Sequence, residues 1–150
     1  MRCGAAILMA QKQESVREVE IVFEKAARAI WSNVNNAAME TFVSVITDER
    51  SSYEAEKDSY VQLLRERSSI FTKEADACQL AYYPYKEGFF VTLQMEDNAQ
   101  RDAFHEALMK EHIYTVKVNK GIRVAVCSLP VDKCYGLAKR MKDILDTLTK

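Results

Sequence analysis

Helix-breaking residues are scarce in this sequence, above all in its first half. The chain has four glycines and two prolines, and between Gly4 and Pro84 it has neither. Glycine and proline are the residues least compatible with a helix interior, so their absence allows a mostly helical segment of that length. Beyond Pro84, the remaining breakers separate shorter runs: Gly88, Gly121, Pro130 and Gly136. This pattern predicts long helices first and a β-rich unit beyond about Leu80.

Cysteine and histidine are also few, and this limits the chemistry that a site in the chain can carry. The four cysteines show no C-x-x-C spacing, and the two histidines are His105 and His112. Zinc-ligand spacing and a nucleophile–base motif are therefore absent, as is a glycine-rich phosphate loop. We predict no metal site and two solvent-facing histidines. Because the chain is not cysteine-dense, we expect a reduced, cytoplasmic setting.

A strong charge of one sign and a long apolar run are both missing. The formal net charge is -1, so no electrostatic field favours nucleic acid or an anionic membrane as a partner. The apolar residues 5–10 are too few for a membrane span and lack the layout of a signal peptide, so we predict a strand there. With 48% hydrophobic and 29% charged residues, the composition is that of a globular protein.

Apolar periodicity predicts helices in the first half. From Gln13 to Ile30, apolar residues recur at spacings that place them on one helix face. Those residues are Val16, Val19, Phe23, Ala26 and Ile30. Ser32 or Asn33 is a candidate cap for a second helix. Residues 47–59 are rich in charged and polar side chains, which we interpret as a solvated helix face.

Beyond residue 80, the predicted order of elements is strand, helix, strand, strand, helix. Residues 88–93 and 121–127 have strong strand patterns, and residues 113–118 alternate between apolar and polar. Asn98 is a candidate cap of the helix between them, and Pro130 suits the first turn of the last helix. Helices packed on a small sheet make an α+β layer. The predicted fold is therefore α+β, with long N-terminal helices followed by a small sheet covered by helices.

Three arginines are the candidate binding residues. Arg123 interrupts an otherwise apolar strand, where a charge needs an anionic partner or access to solvent. In a cleft its two-pronged fork suits a carboxylate, but the pattern alone favours an edge-strand arginine that faces water. Arg28 lies on a helix turn beside Trp31, and the pattern makes it a surface residue or part of an ion pair. Arg2, beside Gly4, is compatible with phosphate binding.

Three separated stretches together match the pattern of one enzyme family. They are residues 1–6 (Met-Arg-Cys-Gly-Ala-Ala), residues 27–33 (Ala-Arg-Ala-Ile-Trp-Ser-Asn), and residues 88–90 with 113–114 and 121–125. In this order they resemble the aspartate/aromatic aminotransferase family of fold-type-I enzymes, which use pyridoxal 5′-phosphate. The first is similar to the segment just after the cofactor lysine, and the second to the Arg-x-x-aromatic-Ser-Asn segment at the dimer boundary. The third resembles the strands of the small domain.

The resemblance implies a role for each arginine. Arg2 would pair with the phosphate of pyridoxal 5′-phosphate, because a guanidinium fork suits a dianion. Arg123 would hold the α-carboxylate of the substrate and orient it. Arg28 would reach the neighbouring subunit of a homodimer and bind the distal carboxylate of a dicarboxylate. The implied reaction is transamination between aspartate or an aromatic amino acid and a 2-oxo acid, with the cofactor as electron sink.

Two departures from the family pattern bear on activity. The Ser-Lys pair that would hold the cofactor is not in the sequence, and Val34-Asn35 stands where the family often has prolines. We therefore expect a C-terminal piece of the enzyme, inactive alone and without tightly bound cofactor. Residues 1–77 would be the end of the large domain with a connecting helix, and residues 78–150 the small domain. Two alternatives stay open: a non-enzymatic, helix-rich interaction module, and a pyridoxal-phosphate enzyme of another reaction type, such as a lyase.

Overall fold

A computed structural model of the protein describes residues 4–33 and 35–148. The chain divides into two compact units, Met1–Glu56 and Lys57–Lys150, and the boundary falls inside the longest helix. The domain boundary predicted from the sequence, after residue 77, coincides with the end of that helix. The assignment of residues 1–77 and 78–150 to a large and a small domain stays a prediction. Every helix among the described residues is too short or too polar to cross a membrane.

The first unit contains α1 (Gln13–Ile30), α2 (Asn36–Thr47) and the beginning of α3 (Arg50–Ala77). The helix predicted from apolar periodicity is confirmed with the same bounds. The predicted strand at residues 5–10 is wrong, since these residues join no strand ladder and a strand needs a hydrogen-bonding neighbour. The N-cap of α2 is Asn35, not Ser32 or Asn33.

The polar segment at residues 47–59, which runs from the end of α2 into α3, is solvated, as predicted. Residues 47–59 are all exposed, and those from Arg50 onward are helical. Burial in the first unit is slight throughout. No residue of α1 is buried, and Ala38 is the buried residue of α2. These helices therefore contribute little to a core within their own unit.

The second unit contains a three-stranded antiparallel sheet. Its strands are β1 (Val91–Gln94), β2 (Val116–Val118) and β3 (Gly121–Val124), in the spatial order β1-β3-β2. The prediction that the first and last strand patterns belong to one sheet is confirmed, because β1 pairs with β3. The strands are shorter than their sequence patterns: the last one ends at Val124, and a single 3-10 turn follows at Val126–Ser128.

Helices α4 (Asn98–Lys110), α5 (Val131–Cys134) and α6 (Leu137–Leu148) complete the second unit. The core combines one sheet face with α3, α4 and α6, and burial of such apolar surface is the main stabilising contribution in a domain. The fully buried large side chains of this core include Phe71, Leu93, Phe104, Leu108, Ile122 and Met141. The α+β fold with a small sheet covered by helices is thus confirmed.

The helix ends differ from the predicted caps. Asp97, not Asn98, caps α4, and its Oδ1 accepts a hydrogen bond from the Gln100 N–H at 2.8 Å. The Asn98 side chain instead accepts from the Lys120 N–H at 2.8 Å, which ties the β2–β3 turn to the start of α4. The predicted single last helix is two helices, because Gly136 adopts a left-handed φ of 76° between α5 and α6.

One carboxylate joins α3 to the start of α6. Glu74 Oε1 accepts from the Gly136 N–H, and its Oε2 accepts from the Ala138 N–H, both at 2.9 Å. The first N–H groups of a helix have no partner within the helix, and a negative charge there also complements the helix dipole. Glu74 therefore fixes the position of α6, whose Ala138 and Met141 are fully buried.

We expect Glu74→Ala to destabilise the second unit by about 1–3 kcal/mol, because two backbone donors lose a charged acceptor. Chemical denaturation followed by circular dichroism measures this change. Glu66→Ala is the matched control, since Glu66 lies on the same helix but is exposed, and exposed substitutions usually stay within about 0.5 kcal/mol. Equal midpoints for the two variants would contradict the assignment.

A second expectation concerns Gly121, which is buried at the start of β3. A Cβ at this position would lie 2.8 Å from the Leu93 carbonyl oxygen and 3.0 Å from Thr92 Cγ2. Gly121→Ala should therefore push β1 and β3 apart and cost about 1–3 kcal/mol, as overpacking does. Gly4→Ala, where a Cβ meets no atom within 4 Å, is the matched control. A Gly121→Ala variant as stable as this control would rule out the close approach.

Candidate functional site

Arg123 lies on the central strand of the sheet, on the side opposite the core. Its neighbours Ile122 and Val124 are buried, and successive side chains of a strand point to opposite faces. We call the other side, which carries Thr92, Arg123 and Val116, the open face of the sheet. The pattern-based view of Arg123 as an edge-strand residue is wrong, because β1 and β2 pair with both sides of β3.

The aromatic ring of Phe90 lies against the guanidinium of Arg123. The distance from Arg123 Cζ to the ring centroid is 4.2 Å. Strand register accounts for this contact: Thr92 is the direct partner of Arg123, and Phe90 precedes it by two residues on the same face. Diagonal neighbours of this kind are within reach of aromatic and long side chains. The result is a cation–π contact that occupies one face of the guanidinium.

The donors of Arg123 have no acidic partner in the part of the chain that the structure describes. None of the ion pairs among residues 4–33 and 35–148 involves Arg123. Its Nε is buried and finds no hydrogen-bond acceptor among these residues. A buried donor without an acceptor is costly, and a carboxylate is the acceptor that best matches the guanidinium fork. The arrangement is therefore suited to binding a carboxylate.

Arg28 has different surroundings in the first unit. It is exposed in the last turn of α1, and its Nη1 donates to Ser32 Oγ at 2.9 Å. Ser32 itself has a left-handed φ of 67°, which brings its side chain back toward the helix end. Arg28 belongs to the first unit and Arg123 to the second. Arg2, the third candidate, lies outside the described residues.

A second half-buried arginine, Arg67, was not among the residues singled out from the sequence. Its Nη1 donates to the Cys127 carbonyl oxygen at 2.8 Å, which links α3 to the segment just after β3. Its Nε, like that of Arg123, is buried without an acceptor among the described residues. Arg67 stands in a polar stretch of helix, where nothing in the pattern separates it from solvated arginines. Phe90 was missed for a related reason, because its contact follows only from the register of β1 and β3.

The described histidines and cysteines do not form a comparable binding arrangement. His112 is exposed, as predicted, but His105 is half-buried, with its Nδ1 3.1 Å from Thr115 Oγ1. The prediction of solvent exposure is therefore wrong for His105, because this turn of α4 faces the segment before β2. Cys78, Cys127 and Cys134 are free thiols. Burial raises the pKa of the Cys134 thiol above its ordinary value, which favours the thiol over the nucleophilic thiolate.

Comparison with known proteins relates the sequence and the fold to one family. The sequence matches the family model described as aminotransferase class I and II over residues 1–141. It is also similar to an aminotransferase from Anaerococcus prevotii DSM 20548 of known crystal structure, with 29% sequence identity and a TM-score of 0.81. That match covers 92% of this chain and 33% of the other.

No curated protein matches the sequence. The chain spans about a third of the length of the solved aminotransferase that it matches. The family match nevertheless covers the first unit and the second as far as residue 141, with all three strands of the sheet. On this evidence, the chain belongs to the class I and II aminotransferase family.

Proposed function

We propose that this chain supplies the substrate-carboxylate site of a pyridoxal-phosphate-dependent transaminase, with Arg123 holding the α-carboxylate of the amino acid. The observation that carries the proposal is that the Arg123 guanidinium is held in place but lacks an anionic partner among the described residues. It lies on the open face of a central strand, one side rests on Phe90, and its buried Nε lacks an acceptor among the described residues. Family membership favours this function over a non-enzymatic interaction module.

The strand gives Arg123 a fixed position from which to act. Ile122 and Val124 are held in the core, and hydrogen-bonded partners flank Arg123 on both sides. A bidentate guanidinium–carboxylate pair restricts both the position and the rotation of the bound amino acid. It thereby aligns the Cα–H bond for proton removal, and orientation of this kind contributes substantially to lowering a barrier.

The cofactor implied by the family is pyridoxal 5′-phosphate, which supplies an electron sink when it is bound. Arg2 is the residue of this chain that would hold its phosphate, because a guanidinium next to the small Gly4 suits a phosphate dianion.

We further propose that the substrates are aspartate or aromatic amino acids with a 2-oxo acid acceptor, and that the enzyme is a homodimer. Arg28 supports a dicarboxylate substrate, since its guanidinium is exposed and bonds only to the uncharged Ser32 among the described residues. In this proposal Arg28 binds the distal carboxylate in the neighbouring subunit. If this is correct, the enzyme should have a higher kcat/KM for aspartate than for an aromatic amino acid, and Arg28→Ala should abolish that preference.

The role of Arg123 is tested by Arg123→Ala and Arg123→Lys in the holoenzyme that contains this chain. Loss of a charged hydrogen bond costs about 1.5–3 kcal/mol, so kcat/KM should fall at least about tenfold to a hundredfold, at 1.4 kcal/mol per factor of ten. Lysine should not restore it, because an ammonium lacks the planar fork. Cofactor absorbance should be unchanged.

Arg65→Ala is the matched control for these kinetics. Arg65 belongs to the same unit, but its exposed side chain pairs with Glu87 at 2.8 Å, and exposed ion pairs contribute little. Steady-state rates with several amino acid donors give the comparison. Near-normal efficiency in both Arg123 variants would mean that the carboxylate is held by another residue.

For the 150-residue chain alone, we expect no tightly bound pyridoxal 5′-phosphate. Surface lysines can react with the aldehyde reversibly, but the Ser-Lys pair of the family pattern does not occur among these 150 residues. Absorbance spectra recorded before and after desalting distinguish weak from tight association, with the holoenzyme as the positive control. A visible cofactor band that survives desalting of the chain would overturn this expectation.

A further inference from the structure

We propose that Phe90 is the positioning residue of the carboxylate site: its ring holds the guanidinium of Arg123 in the orientation that receives the substrate. The inference rests on the proposed function of Arg123 and adds a second residue to that site. Its starting point is the 4.2 Å separation between Arg123 Cζ and the Phe90 ring centroid. At this distance the electron-rich face of the ring attracts the cation.

No other described group fixes the fork in place. The two residues paired directly with Arg123 are Thr92 and Val116, and neither carries a negative charge. An acidic neighbour would orient the guanidinium, but it would also compete with the substrate carboxylate for the same N–H donors. An aromatic ring attracts the cation through its face and leaves the donors at the guanidinium edge available. Phe90 therefore restrains the Arg123 guanidinium without occupying the N–H donors that would bind the substrate carboxylate.

The Phe90 ring is itself held from several directions. The ring of Phe89 meets it edge-to-face, with centroids 6.4 Å apart and planes at 88°, which is a favourable aromatic arrangement. The backbone before it is tied down because Tyr85 Oη donates to the Gly88 carbonyl oxygen at 2.7 Å. The Cys127 N–H donates to the Phe89 carbonyl oxygen at 3.3 Å. The backbone next to Phe90 is thus hydrogen-bonded to the segment before β1 and to the segment after β3.

The first experiment measures the orientation itself in the 150-residue chain. Nitrogen-15 relaxation at Arg123 Nε reports the mobility of the guanidinium. Phe90→Leu and Phe90→Met should raise that mobility, whereas Phe90→Tyr, which keeps the ring, should not. Tyr135→Leu is the matched control, because it removes an exposed aromatic ring elsewhere in the second unit. Unchanged mobility in both ring-free variants, or an equal change in Tyr135→Leu, would overturn the proposal.

The second experiment measures the consequence in the holoenzyme. Phe90→Leu should lower kcat/KM for the amino acid about three- to thirtyfold, mainly through a higher KM. That loss equals about 0.7–2 kcal/mol at about 1.4 kcal/mol per factor of ten, the range expected for a cation–π contact. Cofactor absorbance should not change, and Phe90→Tyr should retain most of the activity.

A double-mutant cycle separates this inference from the proposed function. If Phe90 acts through Arg123, the effect of Phe90→Leu should disappear in the Arg123→Ala background. Full additivity of the two substitutions would show that Phe90 acts independently, and it would overturn the positioning role while leaving Arg123 as the carboxylate residue. A negligible effect of Arg123→Ala alone would instead refute the proposed function.

Discussion

The pairing of β1 with β3 is the constraint on which the candidate site depends. Its register places Thr92 opposite Arg123 and Leu93 opposite Ile122, and the two pairs face opposite sides of the sheet. A shift by one residue would exchange those sides and turn the guanidinium into the core. The buried partners Leu93 and Ile122 therefore do more than stabilise the unit. They determine that the charged side chain stands on the open face.

Contacts distant in sequence then fix the surroundings of this pair. Glu74 holds the start of α6 against α3, Asn98 ties the β2–β3 turn to α4, and Arg67 connects α3 to the chain after β3. Each uses a side chain to satisfy backbone groups that have no partner in regular secondary structure. The short strands can be precise in position because these bonds hold the connections at their ends.

How far the sequence predicts the structure depends on the range of the interaction concerned. Helix α1 follows from apolar periodicity, which is a local property, and its bounds agree with the prediction. The bonds of Glu74 and the contact of Phe90 with Arg123 join residues far apart in sequence, so no local pattern contains them. The apolar stretch at residues 5–10 has the composition of a strand but no partner ladder. Arg123 stands out in the sequence because a charge in an apolar strand is unusual, whereas no local pattern identifies Phe90 as its stacking partner.

The sparse burial in the first unit has a consequence for the cooperativity of unfolding. No side chain of α1 is buried, so its backbone hydrogen bonds are protected mainly by the helix itself, whereas most helices in proteins are stabilised by the packing of one face. Regions with few buried apolar contacts open at a small free-energy cost, independently of the core. Amide protons of α1 should therefore exchange with solvent through local fraying, while those of β3, flanked by strands on both sides, report the global stability of the second unit.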